Sequence, residues 1–164
     1  MVSVGPALDP TATDSAPSTL LGSYVTTLEI PTRSREEFVD IGPQVRALLR
    51  ESGVRDGVVH LWALHTTCGL TVNENADPDV PRDMLRKMRE LVPKDELYYR
   101  HAEGNSDSHV KTSLFGPGLT LLVHDGALVL GRWQGVFLAE WDGPRTRKVA
   151  VRVIASGPAS ADPT

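Results

Sequence analysis

Five histidines supply the side chains best suited to metal or proton chemistry near neutral pH, and their spacing sorts them. On one strand His60 and His65, five positions apart, face opposite ways, so that strand alone does not make them one metal site. His65 stands where an apolar run ends and the hydroxyl-rich His65-Thr66-Thr67 begins, at a sheet edge where sites collect. His60, between Val59 and Leu61, reads as a hydrogen-bonded core histidine, and His124, before a hairpin turn, as an exposed turn residue. His101 and His109 are joined by a segment with Gly104, Asn105, Asp107 and Ser108. A loop can bring these two imidazoles together, with Ser106 or Asp107 capping the helix that carries His109. The alternative is two loop histidines in solvent.

The carboxylates divide in the same manner. Asn73, Glu74, Asp77 and Asp83 gather beside a helix start, where Asp77 as N-cap and Asp83 in the first turns favour the helix dipole without any catalysis. Glu74 has no such helical role and is the general acid/base candidate of that group. Glu140 shares a strand face with Val136 and Leu138, while Phe137, Ala139 and Trp141 take the other. A carboxylate on an apolar face costs several kcal/mol unless it meets a cation, a metal or donors. Its partner is then Arg145 or Arg147, or it serves as a metal ligand or acid/base group. Arg145, Arg147 and Lys148 form either a solvated charged face or an anion site, since the guanidinium fork suits phosphate and carboxylate. Cys68, on the face opposite His65, reads as a buried, inert thiol rather than a nucleophile.

These residues must be held by elements that the pattern also predicts. A β-branched strand runs from Ser23 to Ile30, and a helix follows Gly42-Pro43, carries the stripe Val45, Leu48 and Leu49, and stops at Gly53. The run Val58 to His65 is apolar on both faces, which predicts a strand covered on both sides. A short strand is expected at Thr71-Val72. Asp77-Pro78-Asp79 starts a helix with Val80, Met84, Met88 and Leu91 in helical spacing until Pro93. A polar segment, Tyr98 to Ser108, leads to a short helix from His109 to Phe115. Asp125-Gly126 joins two hairpin strands, Leu119 to His124 and Ala127 to Leu130. Strands at Val136 to Trp141 and Arg147 to Ile154 complete an α+β fold of mainly antiparallel sheets with two to three helices in one compact domain.

Composition bounds the rest. The chain has 164 residues, the size of one domain, read here as residues 21–156 between Pro-rich polar tails at 1–20 and 157–164 that are expected to be disordered. Seventeen Lys and Arg against 21 Asp and Glu give a net charge of −4, which argues against a general nucleic-acid footprint. No run reaches the roughly 18 apolar residues of a membrane span, and no secretory signal is read. One cysteine predicts a reduced, cytoplasmic setting.

Three stretches together resemble the signatures of the YjbQ-like family, described as secondary thiamine-phosphate synthase enzymes. They are His65-Thr66-Thr67-Cys68-Gly69-Leu70-Thr71-Val72-Asn73-Glu74-Asn75-Ala76-Asp77-Pro78-Asp79-Val80 with Asp83, then Tyr99-Arg100-His101 with Gly104 to Lys111, and then Gly126, Leu128, Leu130 to Gly135, Glu140 and Gly143 to Arg147. The resemblance implies a homotrimer and a pocket near a subunit interface. Carried over by position, the pocket holds His65, Asn73, Glu74, Asp77, Asp83, His101, His109, Gln134, Glu140 and Arg145. The expectation is an enzyme in which His65, His101 and His109 bind a divalent metal, zinc or another transition ion by ligand softness. Glu74, Glu140 or Asp83 is catalytic, and Asn73, Asp77, Gln134, Arg145 and Arg147 bind a small anionic, phosphorylated metabolite. Metal-assisted hydrolysis and a non-catalytic trimeric metabolite binder are the alternatives. No Gly-rich phosphate loop precedes a helix, and no Asp-rich diphosphate sequence is present.

Overall fold

The computed structural model describes residues 23–157, so the expected tails, 1–20 and 157–164, lie outside the described residues apart from Gly157. The elements follow in the order β1 (Ser23–Pro31), β2 (Glu37–Asp40), α1 (Gly42–Ser52), β3 (Gly57–Ala63), β4 (Cys68–Glu74), α2 (Asp79–Leu91), α3 (Ser106–Phe115), β5 (Gly118–His124), β6 (Ala127–Leu128), β7 (Gln134–Glu140) and β8 (Thr146–Ala155). The strands form a five-stranded sheet, β1-β8-β3-β5-β6, and a three-stranded sheet, β2-β7-β4, antiparallel at every pairing.

Local signals set most boundaries. Pro43 opens α1, and Gly53 closes it in the left-handed region at φ 68°, where a Cβ is unfavourable. Asp125 and Gly126 both have positive φ, 50° and 74°, as a two-residue type I′ hairpin requires. The Asp77 carboxylate accepts the Asp79 N–H at 2.9 Å, though Pro78 occupies the cap position itself. Strand β2 is four residues long and carries too short a pattern to be read from sequence. The α3 helix starts three residues before His109, and Asp107 does not cap it: its carboxylate is fully buried against Arg35 and Lys111.

The two sheets share one core. Val59, Leu61, Leu121, Val149, Val151 and Val153 of the larger sheet pack with Leu70, Val136 and Leu138 of the smaller, and Val45 and Leu49 of α1 join them. The second face of the small sheet is covered by α3, where Phe115 meets Phe38 and Trp141. A Cβ at Gly69 would stand 2.8 Å from the Phe115 Cβ, so glycine is what lets α3 approach β4.

The far face of the large sheet is open, which corrects the expectation of a strand covered on both sides. Trp62 is 55% exposed and Leu122 60%, and His60 is also exposed rather than in the core. Its Nδ1 pairs with the Thr120 hydroxyl at 2.8 Å across the sheet. α2 is amphipathic, yet none of its residues is fully buried.

Candidate functional site

Glu140 ends β7 on the core-facing side of the small sheet, and Arg147 begins β8 on the core-facing side of the large one. Each is 1% exposed or less, so their ion pair ties the two sheets together at one end of the core. The Glu140 carboxylate accepts Arg147 Nε at 2.7 Å, the Thr32 hydroxyl at 2.9 Å, and the Trp141 and Asp142 N–H groups at 2.9 and 2.8 Å. Arg147 Nη2 also donates to the Thr67 carbonyl and hydroxyl. Of the two readings the sequence left open for Glu140, the geometry favours the structural one, because its oxygens are taken up by donors. Arg147 likewise grips Glu140 and Thr67 rather than standing free for a ligand.

Above this pair lies a cavity of about 280 Å³. Three distant segments build it: Leu64 to Thr67 after β3, Glu103 to His109 at the start of α3, and Asp142 to Arg147 from the β7–β8 turn into the start of β8. The last loop is held in place from below. Arg145 N–H donates to the Thr32 hydroxyl, and the Thr32 N–H to the Arg145 carbonyl, both at 2.9 Å. A Cβ on Gly143 would stand 2.4 Å from the Ser34 carbonyl oxygen, so the turn lies against the neighbouring backbone. Asp142 then bridges the walls, accepting the Asn105 amide and Arg145 Nη2, each at 2.9 Å.

His65 is fixed: its Nε2 accepts the Lys148 N–H at 2.8 Å, which leaves the proton of the neutral ring on Nδ1. Burial, and then the Arg147 charge, press its pKa below the usual imidazole value, with Glu140 opposing. His109 is half-buried and lines the same cavity, and the His101 ring stands edge-on to it at 5.3 Å. His101 itself is exposed and lies near Glu103, with 3.9 Å between Nε2 and Oε2. Among the described residues no group of three or more His, Cys, Asp or Glu side chains is placed to hold a metal ion. With the His65 Nε2 lone pair already engaged, the three imidazoles do not form the expected ligand set as they stand.

The remaining expected site residues lie elsewhere. β4 pairs with β7 from Cys68 opposite Glu140 to Glu74 opposite Gln134, seven residues that place the two ends about 20 Å apart. Asn73, Glu74, Asp77, Asp83 and Gln134 therefore sit at or beyond the far end of the small sheet within one chain. There Asn73 Oδ1 accepts the Glu74 N–H, and Gln134 Oε1 accepts the Gly131 N–H. Asp77 and Asp83 are exposed. Sequence reasoning missed Asn105, Glu103 and Asp142 as cavity walls, because each gains its place only through the meeting of β7 and α3. Lys111 carried a legible signal, its i,i+4 spacing from Asp107 on one helix.

A family model described as UPF0047 protein YjbQ-like matches residues 26–156. UPF0047 protein MJ1081 of Methanocaldococcus jannaschii is 47% identical over 126 residues, 77% of this chain and 91% of that protein. UPF0047 protein YugU of Bacillus subtilis is 44% identical over 128 residues, 78% and 97% of the respective lengths. A crystal structure of a YjbQ/UPF0047 family protein from Clostridium acetobutylicum is 44% identical with a TM-score of 0.77, covering 79% of this chain and 99% of that one. A YbjQ-like protein of unknown function from Sulfolobus solfataricus, 28% identical, also superposes with a TM-score of 0.77 over 82% of this chain and 98% of its own.

Proposed function

The chain belongs to the YjbQ-like UPF0047 family, and from that premise we propose that it is an enzyme acting on a small anionic metabolite in the cavity between His65, His109 and Arg145. The observation that carries this reading is the convergence of three sequence-distant segments on one polar cavity. Arg145 is half-exposed, and Asp142 engages one of its terminal nitrogens, leaving the other side of the guanidinium for a phosphate or carboxylate. Glu103 and Asn105 present acceptors nearby, which suits a metabolite that also carries a hydroxyl or amine. His109 is the proton carrier of this reading, since it lines the cavity and no ion pair among the described residues holds it there. His65, kept neutral, orients the wall through its bond to Lys148. The cavity is at the small end of ligand pockets, which favours one compact metabolite per chain. A transfer of the thiamine-phosphate synthase type, with two phosphorylated reactants, is the named activity to assay. It would draw on residues of a neighbouring copy in the homotrimer we propose, for which the open sheet face around Trp62 and Leu122 is the support.

Binding of glycerol 3-phosphate and formation of thiamine phosphate, measured on the wild type and on Arg145→Ala and His109→Ala, test the proposal. Arg145→Ala should weaken binding about tenfold or more, and His109→Ala should lower turnover by about 10²–10⁴ with the fold intact by circular dichroism. Wild-type values for both folded variants would overturn it. A second reading, a divalent cation between His101 and His109, rests on their rings standing 5.3 Å apart. Zinc titration of the full chain tests it, and unchanged affinity in His101→Ala would refute it.

A further inference from the structure

A larger cavity, of about 460 Å³, is lined by Arg35 and Lys111, the two partners of the buried Asp107, and its wall is more cationic than that of the candidate site. Four cations line it: Arg35 before β2, Arg89 in α2, Lys94 just after α2, and Lys111 in α3. Two carboxylates oppose them. Glu36 accepts Lys111 Nζ at 2.6 Å, Arg35 Nη1 at 3.2 Å and Arg89 Nε, while Asp107 accepts Arg35 Nη2 at 2.9 Å and Lys111 Nζ at 2.9 Å. Four positive charges against two leave an excess of two. In the first cavity, by contrast, Arg145 is paired with Asp142 and Arg147 with Glu140, and Glu103 adds a further negative charge.

The donors left over also point one way. Lys111 is buried and its ammonium is committed to both carboxylates, so it fixes the wall and supplies field. Arg89 gives only its Nε to Glu36 and is 55% exposed, so its terminal N–H fork faces outward from an anchored stem. Lys94 is exposed, lines the same cavity, and makes no ion pair among the described residues. A guanidinium fork beside a free ammonium, over a floor with surplus positive charge, is a set that recognises a doubly charged oxyanion. We infer that this second cavity is a binding site for a phosphate monoester dianion, separate from the His65–His109–Arg145 cavity and independent of what that cavity does.

The test uses the full chain and inorganic phosphate as the probe, with binding followed by phosphorus NMR and calorimetry. Arg89→Gln combined with Lys94→Glu removes the two exposed cations of the rim and the Arg89–Glu36 bond, and leaves Glu36 held by Lys111 and Arg35, with folding checked by circular dichroism. In the Arg145→Ala background, which removes the anion contact of the first cavity, phosphate should still bind, and adding Arg89→Gln with Lys94→Glu should weaken that binding at least about tenfold. Absence of phosphate binding in Arg145→Ala, or equal binding once the two rim substitutions are added to it in a folded chain, would overturn the proposal. Loss in Arg145→Ala with retention in the double variant would assign the anion to the first cavity instead.

Discussion

Replacing Arg147 by methionine removes one charge of the pair that joins the two sheets while keeping most of the side-chain volume. Glu140 then retains the Thr32 hydroxyl and two backbone N–H groups but no cation, and Thr67 loses the donor to its carbonyl and hydroxyl. Removing one partner of a buried pair costs about 3–5 kcal/mol, because the other charge stays desolvated and uncompensated. A domain of this size is stable by about 5–15 kcal/mol in all, so the loss is a large share. With a urea slope of about 2 kcal/mol per molar, the unfolding midpoint should fall by about 1.5–2.5 M. Trp141, next to Glu140 in sequence and buried, provides the fluorescence signal, recorded at fixed protein concentration in case of assembly. Glu140→Leu should cost a similar amount by stranding Arg147. The double variant, which removes both charges, should lie closer to the wild type than either single change. A loss below about 1 kcal/mol for Arg147→Met, or a double variant equal to the sum of the singles, would refute the assignment of this pair as the tie between the sheets.

Acidification should destabilise the fold in two stages. Burial, then the Arg147 charge, lower the His65 pKa, so the unfolded chain takes up that proton first, and stability falls as pH drops from the ordinary imidazole value toward the lowered one. Burial pushes the Glu36 and Asp107 carboxyls up, but bonds and charges from Lys111 and Arg89 on one, and from Arg35 and Lys111 on the other, outweigh it and hold both below the usual range. Their stabilisation is present above the ordinary carboxylate pKa and is lost as pH falls through the lowered values. Thermal unfolding from pH 8 to 3 checks this: His65→Gln should flatten the first stage only, and a midpoint that rises on acidification would be inconsistent with the reasoning. Cys68 is fully buried, and burial pushes its thiol up to about 11 against the partial opposition of Arg147. Thiol labelling at pH 8 should therefore run about 100-fold or more slower in the folded chain than in urea, and equal rates would contradict its placement.

Much of this protein was written in local pattern. Pro43 and Gly53 fix α1, Asp125-Gly126 fixes a hairpin, and β-branched runs fix β1 and β8, because each signal acts within a few residues of the backbone it controls. The facing of Glu140 with Val136 and Leu138 was legible from period-two alternation, and so was the need for a partner, since a buried carboxylate demands one. Three signatures carried family membership along the same chain. What alternation could not say is which strand covers which face. The run at Val58 looked covered on both sides, yet its Trp62 and His60 side looks outward, because coverage depends on what the rest of the chain places there.

The site was decided at that longer range. Arg147 rather than Arg145 takes Glu140, because β8 and β7 lie in different sheets that face each other across the shared core, and Arg147 and Glu140 both point into it. Glu74 and Gln134 share a signature with His65 and Glu140 but stand a strand's length away, since antiparallel pairing fixes register and strand rise turns sequence distance into about 20 Å. Residue types and spacings thus determined the elements and the inventory of reactive groups. Only the closing of the two sheets and α3 around shared ion pairs determined which of those groups stand together, because a charge buried far from its sequence neighbours must find its counter-charge through the fold.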